Sequence, residues 1–585
     1  MRKVIAIIYL ASYALFPWLV LTPGISLLEN ISLRLGLFGL LVIFGAYLFR
    51  RAWPDRNWSM AFIVTAVGYT AAYKLASFLP DISSYPFSLA WSEASRYYYA
   101  SLWLSKQFYG FFVPPSVLHP SRYLLQAIPF IFHISSLWFS RFWQVALWVI
   151  SATLTSWLLV RRLELPAQRK SLVFTLSLVF WGFIFLFQGP VYYHLLFMAI
   201  LILWGFDKAH FWRSFIVVLI ASLWAGISRV NWLPVPGLLA AAIYLMESKK
   251  EDQPVLKYLL APGVWVLVGT LAGFASQEAY QQWSGNPIAW FGSSFSSDLL
   301  WYRLLPNPTY PLGILPSSIL VSISLIGLMV VKVARRWHQY HFIRILGLLA
   351  ILGALFTGGV VVSVKIGGGS NLHNLDAYLT LLMVIGSYIY FDRFVPDKSM
   401  QVEEDAKIKR KHIPGEFLSY IENLFLAGAL IIPMYFTLSA GGQLPKYDFQ
   451  AAQAALQGIN NSTQQTVKEG GEVLFINQRQ LLTFNYIKNV PLVPQYELVF
   501  LMEMAMAENP SYMDAFHEDI ASQRFRLIVS EPLVIQFQGS SHSFGEENDA
   551  WVTNVSEPVL CYYEPSTTFE SVNVVLYVPR QNPCK

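Results

Sequence analysis

The chain has 585 residues, of which 55% are hydrophobic, 16% aromatic and 13% charged, with a mean hydropathy of +0.45. A soluble globular chain carries about 25% charged residues, so this composition excludes an ordinary soluble enzyme. The formal net charge of +6 does not point to nucleic acid, because the basic residues gather in short loops between apolar stretches instead of forming a stripe on one soluble face.

Crossing about 30 Å of hydrocarbon takes about 20 apolar residues in a helix. Thirteen stretches fit: Val4–Leu21, Ile31–Phe49, Trp58–Phe78, Phe142–Val160, Ser171–Phe187, Val191–Phe206, Phe215–Ile227, Leu233–Met246, Tyr258–Phe274, Leu312–Val333, Ile345–Val364, Leu375–Phe391 and Phe417–Leu438. The first opens on Met1-Arg2-Lys3 like a signal peptide, but no small-residue cleavage site follows, so it reads as a retained span. The seventh and eighth are short and flank Ser228-Arg229-Val230-Asn231-Trp232. Two half-buried helices around a polar turn fit them equally well, an arrangement tolerated where it lines a cavity.

Placing the N-terminus inside gives the cytoplasmic segments 24 Lys and Arg. The opposite loops then hold seven: Arg96, Lys106, Arg122, Arg141, Arg229, Arg303 and Lys365. The positive-inside rule therefore predicts N-in, C-out. Three features face outward: a long loop over 79–141, a middle loop from Ala275 to Pro311, and a C-terminal region over 441–585 that follows a transmembrane part over 1–440. Asp392 to His412 reads as a charged cytoplasmic linker. In the C-terminal region Glu472–Ile476 and Phe525–Val529 predict buried strands, and Tyr496–Ala507 and Tyr512–Ser522 predict helices. The fold class is thus an α-helical polytopic membrane protein with a small extracytoplasmic α/β domain. Cys561 and Cys584 fall in that domain, either as a disulfide or as two unpaired thiols.

Ionisable groups at a membrane boundary are costly, so their positions carry information. In Trp91-Ser92-Glu93-Ala94-Ser95-Arg96-Tyr97, Glu93 and Arg96 share a face if the segment is helical. Glu93 is then a candidate general base with Arg96 beside it for a phosphate, or the pair is a surface ion pair on an interfacial helix. A second cluster runs from Lys365 through Gly367, Gly368 and Gly369 to His373, Asn374 and Asp376. Glycine backbone at the start of a helix suits an anion; the bland alternative is a flexible hairpin. Arg229 suits a phosphate clamp or a snorkelling side chain. Asp81 and Asp298 are possible second carboxylates. His119, His133 and His194 have no metal spacing, and no zinc motif or Walker loop occurs, so neither a metal nor a cofactor is expected.

Trp91 to Arg96, Pro114-Pro115 with Leu118 to Tyr123, Ser228 to Trp232, Lys365 to Tyr378, and Pro494 to Ala507 together resemble the GT-C membrane glycosyltransferases, specifically bacterial mannosyltransferase- and arabinosyltransferase-like members. The resemblance implies inverting transfer from a polyprenyl-phosphate-linked sugar to an extracytoplasmic acceptor of unspecified kind, within membrane lipid. It makes Glu93 the base, Arg96, Arg229, Lys365 and His373 donor-phosphate ligands, and Tyr97, Asn231, Asn374 and Asp376 acceptor or sugar contacts. The chain departs from the family pattern in carrying its acidic loop after the third span, not the first, and in lacking a paired acid beside Glu93. The rival expectations are a lipid-linked substrate transporter and a non-catalytic glycan-binding or assembly protein.

Overall fold

Short polar side chains set several helix starts. Asn30 Oδ1 accepts from the backbone N–H of Ser32 at 2.9 Å, Asn57 Oδ1 from Met60 at 2.8 Å, and Ser171 Oγ from Phe174 at 3.2 Å. The computed structural model describes residues 1–22, 26–166, 171–292, 296–369, 372–397, 415–441 and 445–584. Ser370, Asn371 and most of the expected charged linker lie outside them.

A helix occupies each of the thirteen apolar stretches. Among the described residues nine helices are long and apolar enough to cross a membrane, and Leu172–Phe185, Tyr193–Gly205 and Phe211–Gly226 are shorter apolar helices. The bundle is layered. Every residue of helix Asp376–Tyr390 from Asp376 to Ile389 is buried, which puts this helix at the centre. Outer helices leave Ile7, Leu40, Ile216, Leu260, Leu267, Leu271 and Leu349 exposed, the apolar belt a bilayer would cover. Small residues let helices close on one another: a Cβ on Gly226 would stand 2.3 Å from the carbonyl oxygen of Gly273, so only glycine fits where Phe211–Gly226 meets Val255–Ser284.

The C-terminal region is α/β, with four strands in place of the two expected. β1 (Glu472–Phe475), β2 (Phe525–Ser530), β3 (Tyr563–Phe569) and β4 (Val574–Pro579) stand in the order β1-β2-β4-β3. β1 and β2 are parallel; β4 runs antiparallel to β2 and β3. Helices Leu498–Met506 and Pro510–Ala521 confirm the two expected ones, and an amphipathic helix, Phe449–Lys468, adds a third. Cys561 and Cys584 are paired, their Cα atoms 5.1 Å apart.

The boundary near residue 440 does not divide the packing. One hydrophobic cluster joins Tyr85, Phe87, Tyr98, Tyr99, Leu102 and Tyr123 of the long loop to Leu474, Leu501, Ile528 and Leu576 of the C-terminal region. Glu497 accepts from Ser95 Oγ and Tyr99 Oη, and Arg479 lies over the Tyr98 ring at 4.6 Å. The middle loop is tied in as well: Arg303 is fully buried and donates to Glu547 at 2.7 and 2.8 Å and to Glu546 at 3.1 Å.

Candidate functional site

Four stretches distant in the chain converge on one cavity of about 650 Å³, within the ~300–1,000 Å³ range of small-ligand sites. His119 and Arg122 come from the long loop, Arg229 and Asn231 from the polar turn, and Lys365, Gly367, Gly368, His373 and Asn374 from the glycine-rich stretch. The C-terminal region contributes Glu503. Apolar surface comes from Leu118, Ile227, Val361 and Val362.

Local folding explains the convergence. Ser121 N–H donates to the Ile227 carbonyl at 2.9 Å, Ser121 and Ser228 share a hydroxyl hydrogen bond of 2.7 Å, and His119 Nδ1 lies 3.0 Å from the Ser228 carbonyl. The long loop is thereby fastened to the turn that presents Arg229. His119 takes a left-handed backbone, φ 48°, where helix Pro120–Gln126 starts, and non-glycine residues hold that conformation where their surroundings enforce it. The polar turn folds as the short 3₁₀ segment Val230–Trp232 between helices Phe211–Gly226 and Val235–Glu247.

Arg229 is held from behind. It donates to Asp376 Oδ2 at 3.0 Å and to Asn374 Oδ1 at 2.7 Å, while Trp232 Nε1 donates to Asp376 Oδ1 at 2.7 Å. Asp376, expected as an acceptor or sugar contact, is fully buried and does not line the cavity; it fixes the guanidinium that does. Arg122 stacks over the Tyr192 ring at 4.8 Å. Burial first, then the charge of Arg229, pushes the His119 and His373 imidazoles down to about 3, so both are neutral near pH 7. Lys365 sits 3.5 Å from Ser297 Oγ, and burial lowers it from the usual lysine range against the opposing pull of Glu503.

The glycine stretch differs from its expected role as an anion cradle. Gly367 has φ +76°, its N–H donates to Glu547 at 2.8 Å, and the Gly368 N–H donates to the Lys365 carbonyl at 2.9 Å. The anion at Gly367 is thus the protein's own carboxylate.

Glu93, Arg96 and Tyr97 do not line the cavity. Glu93 is 5% exposed and pairs with Arg141, not with Arg96, whose Nη2 donates to Ser92 Oγ at 3.1 Å. The helical spacing of Glu93 and Arg96 is correct, Glu93–Leu102 being a helix, but a distant arginine outcompetes the neighbour because it satisfies the buried carboxylate from within the core. Tyr97 Oη is 3.4 Å from Glu93. Asp81 and Asp298 also lie off the cavity; Asp298 offers its backbone carbonyl to Ile366 at 3.0 Å. His133 lies off it too, while His194 lines it.

Some buried polar atoms at the cavity have no partner. Among the described residues, both ring nitrogens of His194, Gln277 Oε1 and Arg122 Nε are buried, line the cavity and lack a hydrogen-bond partner. Buried polar atoms are nearly always satisfied, so such a group invites a ligand. No three His, Cys, Asp or Glu side chains among the described residues come together as a metal site. Sequence reading missed Arg122 and Glu503 as site residues; Glu503 had no local signal for such a role, because its helix reads as ordinary domain core. The chain matches no known protein family and no curated protein.

Proposed function

We propose that this protein is an inverting membrane glycosyltransferase of GT-C type that moves a sugar from a polyprenyl-phosphate donor to an acceptor on the non-cytoplasmic side. One observation carries the reading: Arg122, Arg229 and Lys365 converge on a single cavity that also presents apolar surface from Leu118, Ile227, Val361 and Val362. A cationic cradle stabilises the phosphate as it takes the bonding electrons from the anomeric carbon, and that leaving group needs no proton. The apolar surface suits the first isoprene units beside it. In this reading all thirteen helical stretches span the membrane, the N-terminus is cytoplasmic, and 441–585 lies outside. The 24-to-7 bias in Lys and Arg supports that orientation.

Glu93 has no part in the chemistry in this reading; it is a buried member of the long loop's framework. Asn231 and Asn374 line the cavity and remain as sugar contacts.

The test uses the full chain in proteoliposomes with a panel of undecaprenyl-phosphate-linked hexoses and pentoses and envelope acceptor extract. Release of undecaprenyl phosphate with sugar appearing on an acceptor is expected. Binding of the donors, or their passage across the bilayer, with no bond cleavage defeats the transferase reading in favour of a binding protein or a transporter.

A further inference from the structure

A transfer that forms an acceptor–sugar bond must also dispose of the acceptor's hydroxyl proton. Glu503 is the one carboxylate that lines the cavity among the described residues. Asp376, Glu547 and Glu93 do not line it. The neutral imidazoles of His119 and His373 are too weakly basic to hold that proton at neutral pH.

Placement of Glu503 is enforced by its own helix, Leu498–Met506. Residues three apart share a helix face, and here that face is Phe500, Glu503 and Met506. Phe500 packs on Trp290 of the middle loop, ring centroids 5.7 Å apart, and Met506 lies over Gly367. The helix is therefore gripped on either side of Glu503, one turn each way. Its start is fixed by Glu497, which caps Val499 N–H at 3.1 Å while accepting from Ser95 and Tyr99 of the long loop. Lys365 lines the same cavity, and the charge of Glu503 opposes the effect of burial on it.

We infer that Glu503 is the general base of sugar transfer, so that the C-terminal domain completes the catalytic site instead of merely covering it. The inference rests on the transferase reading above. In the step, the acceptor oxygen attacks the anomeric carbon as its O–H proton passes to the Glu503 carboxylate. The anomeric C–O bond to phosphate breaks, and the electron pair leaves on the phosphate between Arg122, Arg229 and Lys365. In-line attack on the face away from the breaking bond gives inversion.

The experiment compares wild type, Glu503→Gln, Glu503→Ala and the exposed control Glu508→Gln as full chains, reading undecaprenyl phosphate release, thermal unfolding and binding of undecaprenyl phosphate. Glu503→Gln should lose transfer by about 10²–10⁴-fold while still melting cooperatively and binding undecaprenyl phosphate. Formate should partly restore Glu503→Ala. Wild-type activity retained within about threefold in Glu503→Gln, or its loss in Glu503→Ala without formate rescue in a protein that still binds undecaprenyl phosphate, overturns the assignment alone. An inert wild type overturns the transferase reading and this assignment with it.

Discussion

Arg141 Nε lies 2.8 Å from Glu93 Oε1 and its Nη2 lies 3.1 Å from Oε2, while the remaining N–H groups donate to the carbonyl oxygens of Ser83, Tyr85 and Phe87. One guanidinium therefore folds the start of the long loop onto the N-terminal end of helix Leu137–Arg162, with Glu93 balancing its charge. Removing one partner of such a buried pair leaves the other charge stranded, at a cost of about 3–5 kcal/mol. Glu93→Gln and Arg141→Met should each lower the unfolding temperature in detergent, and the double variant should recover part of that loss. A Glu93→Gln protein with unchanged unfolding temperature and abolished turnover would return Glu93 to the chemistry.

Arg303 makes the equivalent connection for the middle loop. It is fully buried, with Glu547 and Glu546 as partners, and Glu547 also holds the Gly367 N–H. Arg303→Ala strands Glu547 and frees the turn next to Lys365, again costing about 3–5 kcal/mol. Hydrogen exchange should quicken at the Gly367 amide and over residues 545–551 together. Faster exchange at only one of the two segments would break the proposed link between them.

How much of this was readable without coordinates differs by element. Long apolar runs announce themselves through composition alone, which is why a helix fills every predicted stretch, down to the short pair around Arg229. Arg229, Lys365, His373 and Asn374 were also legible, because charge beside a membrane span is expensive and so rarely incidental. Glu93 carries the same local signature, yet its partner Arg141 is 48 residues away in the chain, and no periodicity reveals which cation a carboxylate will meet. β3 and β4 were overlooked although Val574-Val575-Leu576-Tyr577-Val578 is a clear strand run. Glu503 was invisible for another reason: only packing against Trp290 and Gly367 turns its helix face toward the cavity.

Arg229 separates ligand binding from framework. It is backed by Asp376 and Asn374 and still reaches the cavity. Arg229→Lys keeps a charge but not the planar fork, so it should retain the fold and weaken undecaprenyl phosphate binding by about tenfold or more. Arg229→Ala should in addition destabilise the protein, because Asp376 loses its compensating charge. Equilibrium binding and thermal unfolding of the two variants check this. Full affinity in Arg229→Lys would remove Arg229 from the phosphate cradle.

His119 and His373, two of the three histidines that line the cavity, give the fold a dependence on pH whose sign is fixed. His119 and His373 hold folded values of about 3 because burial and the neighbouring arginines disfavour the cation, whereas an unfolded histidine titrates near ~6.5. Between those values the unfolded chain binds protons that the folded chain refuses. Stability contributed by the neutral imidazoles is therefore complete above about pH 6.5 and drains away as the pH falls toward 3. Unfolding temperature in detergent should drop from pH 7 to pH 5, and the drop should shrink in a His119→Gln/His373→Gln variant, whose glutamines do not titrate. If the double variant falls as steeply as wild type over that window, the imidazoles are not the groups responsible, and the neutral cavity wall on which the choice of a carboxylate base depends loses its support.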